Sequence, residues 1–211
     1  MAQTIENIRT TKMYGSIRQA VNDAANGDEI VVGTGIYPHI ENIDFKGKAV
    51  TLRSVDPNDP YVVAATIIRG DSQNTVVTFS GGEEPNCVLA GFTISGGKNG
   101  IYCYKASPTI TKCNIIDNNT GIILYNESKP TISYCNIMTN TATGVEMHVN
   151  VSGRAKLYNR PDITNCIIAE NGQYGVSGDF PTITNCTICN NIAGGIFNST
   201  PTVTNSIIYF N

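Results

Sequence analysis

The chain has 211 residues, 14 Lys and Arg against 17 Asp and Glu, a formal net charge of −3 and a pI near 5.3. Only 15% of it is charged and the basic side chains are scattered, so no basic stripe argues for a nucleic-acid partner. No run of 18 apolar residues is long enough for a membrane-crossing helix. No signal peptide is read at the N-terminus, and Met1-Ala2-Gln3 fits a start fused to a mature sequence, which leaves an extracellular or cell-surface setting as the expectation.

In chain order, residues 1–28 are expected to hold a strand and a cap helix. Between Ser16 and Ala25 the apolar residues Ile17, Ala20, Val21 and Ala24 fall on one helical face, with Gly27 as the stop. A helix laid over a first rung covers an open core and blocks edge pairing there. Residues 29–86 read as irregular first rungs. Their strands are 29–33, 49–54, 65–70 and 75–80, separated by Gly, Asp and Pro turns such as Asp56-Pro57-Asn58-Asp59-Pro60.

Residues 87–211 are a repeat array. Nearly the same phrase starts at Pro108 (PTITKCNI), Pro130 (PTISYCNI), Pro161 (PDITNCII), Pro181 (PTITNCTI) and Pro201 (PTVTNSII), at spacings of 22, 31, 20 and 20 residues. Such a period fits a solenoid whose repeats bury their apolar sides by stacking. Leucine-rich and helix-pair repeats share that period, but the Thr, Ile, Val, Tyr and Asn content, with Pro and Gly punctuation and no LxxLxL pattern, selects short stacked strands. The expectation is one all-β domain over 1–211.

Aligned rungs give columns. Leu89, Ile110, Ile132, Ile163, Ile183 and Val203 form one inward column, and Ile94, Ile115, Ile137, Ile168, Ile188 and Ile208 a second. Ile101, Ile122, Val145, Val176 and Ile196 form a third, each preceded by a glycine taken to mark a corner, so the coil should have three sheet faces. Asn118, Asn140, Asn171, Asn191 and Asn211 fit a turn in which Asn tolerates positive φ and its amide bonds the next rung. Phe92, Cys113, Cys135, Cys166, Cys186 and Ser206 form a column of small core residues. Stacked parallel rungs suit disulfides poorly, and only Cys186 with Cys189 has a CxxC spacing, so no metal site is expected. No cofactor is expected either, since no outward column gathers the carboxylates that Ca²⁺ would need.

Function is sought where repetition fails. One outward column reads Tyr104, Tyr125, His148, Asp179, Ser199 and its neighbour Tyr102, Ile123, Glu146, Ser177, Phe197. Stacked tyrosines offer platforms for sugar rings, and His148 with Glu146 and Asp179 forms a candidate acid/base set. A long loop near 149–160 adds Arg154, Lys156 and Tyr158, which with Tyr104 and Tyr125 make a candidate binding surface for an anionic glycan. The structural alternative is that the aromatics pack against each other and the excursion is an ordinary surface loop.

The run SIRQAVNDAANGDEIVVGTGIYPHIENIDFKGKAVTLRS at 16–54, then DPNDPYVVAATIIRG and the PTITNC rungs, resembles the bacterial right-handed parallel β-helix repeat proteins of the pectate-lyase-like superfamily. The resemblance spans essentially the whole chain. It implies a right-handed parallel β-helix with an N-terminal capping α-helix, an extracellular setting and dealings with polysaccharide, but no one activity. Clustered aspartates with a GHG, as in polygalacturonase-like sites, are missing, and Gly35 to Glu41 echoes only the GxYxE opening of esterase-like ones.

Three readings follow. The leading one is a non-catalytic carbohydrate-binding or scaffold module of a larger secreted protein. The second is a polysaccharide lyase or related enzyme acting on an acidic glycan. The third is a self-assembling module, because the rung from Pro201 to Asn211 carries no cap sequence and either continues in a longer protein or pairs end to end with another copy.

Overall fold

The structure is a computed structural model that describes residues 4–38, 42–152 and 155–211. Among these residues the strands form three sheets of ten, eight and seven strands, and a separate two-stranded hairpin. Each turn of the coil visits the three sheets in order, as in Thr109–Thr111, Asn114–Ile116 and Thr120–Tyr125. Consecutive turns pair in parallel, Ile110 opposite Ile132, Ile115 opposite Ile137 and Ile122 opposite Val145. The inward columns are therefore physical stacks, and their members from Leu89 to Ile188 are buried. At the last rung Val203 and Ile208 are exposed.

Two features set the tight corner between the second and third sheets. Asn118, Asn140, Asn171 and Asn191 are buried, and each backbone N–H donates to the next side-chain oxygen: Asn118 to Asn140 at 3.1 Å, Asn140 to Asn171 at 3.2 Å, Asn171 to Asn191 at 3.2 Å. Their amides also reach back, as Asn140 Nδ2 does to the Ile115 carbonyl at 3.1 Å. The expected positive φ is not theirs. It belongs to the preceding residues, Asp117, Thr139, Glu170, Asn190 and Phe210, so the ladder asparagines are chosen for their amides and not for backbone tolerance.

The glycine column serves the same corner for a different reason than the sequence suggests. These residues lie at the start of the third-sheet strands and lack the left-handed φ of a turn. A Cβ on Gly121 would come within 2.5 Å of the Gly144 carbonyl oxygen and 3.0 Å of Asn140 Nδ2. Close backbone approach, not turn conformation, requires glycine here.

The N-terminal end is capped as expected. The helix runs Ile17–Asp23 with Ser16 as N-cap and buries Ile17, Ala20 and Val21. It stops at Ala24, which is extended, and Gly27 only turns the chain afterwards. Lys48 Nζ donates to the carbonyls of Val21, Asn22 and Ala24, closing the helix end. The strand Ile5–Asn7 pairs antiparallel with Glu29–Val32, so the first rung does not offer a free parallel edge. Asp28 ties this cap together. Its buried carboxylate accepts from Arg9 Nε, from Asn7 Nδ2 at 2.7 Å and from the Ala25 N–H at 3.0 Å.

The first rungs also contain a helix not foreseen from the sequence, Pro60–Ala65, capped by Asp59 with Pro at its first position. The segment read as a turn is thus the entry to a helix that lies on the second sheet.

Candidate functional site

The outer face of the third sheet carries the residues singled out in the sequence. The register Tyr102–Ile123–Glu146–Ser177–Phe197 is continuous, and Tyr104–Tyr125–His148 runs beside it. The Tyr125 and His148 rings stack with centroids 4.5 Å apart and planes 5° from parallel. Tyr102 leans on Tyr125 at 5.8 Å, and Lys105 Nζ sits over the Tyr104 ring at 5.7 Å. His148 Nε2 lies 3.1 Å from Glu146 Oε1, and the Thr120 hydroxyl donates to the other Glu146 oxygen at 3.5 Å. Burial, reinforced by Glu146, raises the Tyr125 hydroxyl above its ordinary pKa. Tyr174 and Phe197 form a second stack farther along, 4.2 Å apart.

Asp179 does not extend the Tyr104–Tyr125–His148 column. The third-sheet strands shorten after His148: pairing with the next rung ends at Glu146 and Ser177, and Gly178 and Asp179 turn away with positive φ. The Asp179 carboxylate is buried. Its Oδ2 accepts from the Asn159 N–H at 2.8 Å and from Asn159 Nδ2 at 2.5 Å. Asn159 in turn accepts from the Ser128 N–H at 3.0 Å, and Ser128 from the Ala106 N–H at 3.3 Å. Ala106, Ser128, Asn159, Asp179 and Ser199 each stand two residues before a repeat proline. Counting back from the proline finds this inner ladder; counting forward from the glycine misses it, because the intervening corner varies in length.

The excursion is a hairpin, Asn150–Ser152 paired antiparallel with Ala155–Leu157. Arg154 lies outside the described residues, as do His39 and Glu41 of the GxYxE echo. Lys156 is exposed to solvent, and Tyr158 packs edge-on against Phe180 at 4.8 Å, with Arg160 over the same Phe180 ring at 5.2 Å. His148, Tyr158 and Asp179 nevertheless line one polar notch of about 330 Å³ at the foot of the hairpin. The strip thus brings together Tyr104, Tyr125, Glu146 and His148, with Tyr158 beside them in the notch, while Asp179 acts beneath as a support. Among the described residues no group of three His, Cys, Asp or Glu side chains is placed to hold a metal. An imidazole beside a carboxylate can trade a proton with a bound hydroxyl, and the ring edges and polar tips that the stack turns outward can border a sugar.

Residues 54–211 match the family described as "Right handed beta helix region". A "Cell surface glycoprotein" of Methanothermus fervidus is 33% identical over 119 residues, 56% of this chain but 17% of that protein, so the chain spans about one sixth of the relative. "Geobacillus virus E2 - ORF18" covers 90% of this chain and 56% of its own at 13% identity and a TM-score of 0.38, too distant to carry an argument.

Proposed function

The chain belongs to the right-handed β-helix family, and on that premise we propose a non-catalytic cell-surface module that presents a glycan-binding strip on a rigid coil. The observation that carries this reading is the parallel Tyr125–His148 stack, flanked by Glu146 and Tyr104 on the outer face of the third sheet. Sheet-borne rings keep their spacing without loop ordering, which lowers the entropic cost of binding. The name of the Methanothermus fervidus relative supports the surface setting. Among the described residues no helix is long and apolar enough to cross a membrane.

A glycan array with the whole chain, its Tyr125→Ala variant and its His148→Ala variant tests the proposal. Wild type is expected to retain a defined set of glycans that both variants lose while keeping the wild-type melting temperature. Equal binding by all three proteins would exclude the strip.

The contact of His148 with Glu146 at 3.1 Å favours one second reading, acid/base attack on an acidic polysaccharide. It requires release of unsaturated sugars from pectate or alginate, absorbing in the ultraviolet and abolished in His148→Ala. No release across an acidic panel rejects it.

A further inference from the structure

The outer face of the first sheet carries a pattern that the other two faces lack. In its five strands from Thr109–Thr111 to Thr202–Thr204 the middle residue faces the core and its two neighbours face outward. The register stacks Thr109, Thr131, Asp162, Thr182 and Thr202 in one column and Thr111, Ser133, Thr164, Thr184 and Thr204 in the other. Nine of these ten positions are Thr or Ser, and Asp162 is the one charge among them.

Folding does not ask for this uniformity. In the same rungs an outward column of the second sheet reads Asn114, Asn136, Ile167, Thr187, Ile207, and one of the third reads Tyr102, Ile123, Glu146, Ser177, Phe197. The same repeats, stacked in the same way, have let those columns diverge, and strand preference alone would accept Val or Ile on the first sheet as readily as Thr. Mutual hydrogen bonding does not account for the pattern either. Ser133 donates to the Thr111 hydroxyl at 3.0 Å, and Thr109 to the Pro85 carbonyl at 2.8 Å. The hydroxyls of Thr131, Thr164, Thr182, Thr184, Thr202 and Thr204 have no partner among the described residues.

Bulk beside the array is turned away from it. Lys112 and Tyr134, which follow the first two of these strands, line a cavity with Pro57 and Asn58 over the second sheet, and Lys112 Nζ donates to Asn58. Rungs of a parallel coil repeat at about 4.8 Å, and alternate residues of a strand at about 6.6 Å. The face is therefore a rectangular net of hydroxyls and methyls, and both of its repeats lie close to those of oxygen atoms on the prism face of ice. Thr is stiff about χ1 and the coil fixes the strands, so the net keeps its spacing at little ordering cost. A single hydroxyl gains little from such a contact, because it exchanges one water partner for another. A crystal surface of matching repeat engages the hydroxyls together, while the methyls between them leave the liquid.

We propose that this face binds ice. The ligand is a crystalline surface of water and not a solute, and the net lies on another sheet from the Tyr125–His148 strip and does not depend on it. Asp162, in the middle rung, orders water around its charge in a way the crystal does not share and so limits the match.

Nanolitre osmometry reads the habit of a single ice crystal and the gap between its melting and freezing points. It tests the proposal on wild type, Thr164→Lys, Thr184→Lys, Asp162→Thr, Thr187→Lys and Tyr125→Ala, with circular dichroism melts to show that each is folded. Wild type is expected to facet the crystal and open a gap that grows with protein concentration. Thr164→Lys and Thr184→Lys should close the gap and Asp162→Thr should widen it. Thr187→Lys, outward on the second sheet, and Tyr125→Ala, on the third, should leave it unchanged. Round, freely growing crystals with wild type overturn the proposal, as does a gap that survives both lysine substitutions on the net or that Thr187→Lys closes equally. Asp162→Thr keeps the test decisive if a lysine variant fails to fold, because a gap no wider than that of wild type also rejects the net.

Discussion

Asn159 holds Asp179 by two hydrogen bonds to one carboxylate oxygen, while its own amide also donates to the His148 carbonyl at 3.0 Å. One buried asparagine thereby fixes the return of the hairpin excursion, the rung below it and the end of the His148 strand.

Asp179→Ala and Asn159→Ala should each lower stability by about 2 kcal/mol, since a buried hydrogen-bonded group is lost or its partner is left unpaired in the interior. His148→Ala should change stability little, because its side chain is at the surface. Urea denaturation of the three variants measures the contrast, and a His148→Ala loss as large as that of Asp179→Ala would contradict the assigned roles.

The tight corner makes two further variants costly. Gly121→Ala drives a Cβ toward the Gly144 carbonyl and should cost about 1–3 kcal/mol. Asn140→Ala leaves the Asn118 N–H without its acceptor and breaks the ladder, at a cost of about 3 kcal/mol. Thermal melts of both, beside a neutral control such as Thr141→Ala, provide the check.

Acid sensitivity should trace to the N-terminal cap. The Arg9 guanidinium holds the Asp28 carboxyl well below the usual carboxylate range, helped by the Ala25 N–H and Asn7 against the opposing effect of burial. A lowered folded-state pKa contributes stability that is complete above the unfolded value near 4 and is lost as pH falls below it toward the folded value. Asp28→Asn should therefore cost about 2 kcal/mol at pH 7 and flatten the stability curve below pH 4. Chemical denaturation at a series of pH values would show whether the two curves converge in acid.

All seven cysteines are free and buried. Burial pushes the Cys87 thiol up to about 12 and raises Cys103 well above its ordinary value. Native protein should react with a thiol reagent at pH 8 at none of the seven, and at all of them in guanidinium, as counted by mass. Fast native labelling of Cys135 or Cys166 would show that the core column opens.

Much of this architecture was legible in the sequence because stacking turns spacing into contact. Ile110 and Ile132 share a column in the text of the chain and a register pair in the fold. The strip was legible for the same reason as far as His148. Legibility failed at Asp179, where the strand shortens and a residue that counts as outward from the glycine turns inward. It failed again at Asp59-Pro60, where a capping aspartate and a first-turn proline announce a helix but resemble a turn.

The corner leading back to the first sheet has a consequence for change over time and by design. From the column glycine to the next proline it runs 8, 9, 17, 6 and 6 residues, and the asparagine ladder crosses the longest of these without a break. Added length there adds only the entropy of loop closure, about 0.6 kcal/mol per doubling, whereas the asparagine corner varies by a single residue, three from Asn118 to Gly121 and four at the later rungs. The coil therefore behaves as a fixed spine with one editable margin, along which peptides or whole domains can be grafted at intervals of one rung without disturbing their neighbours.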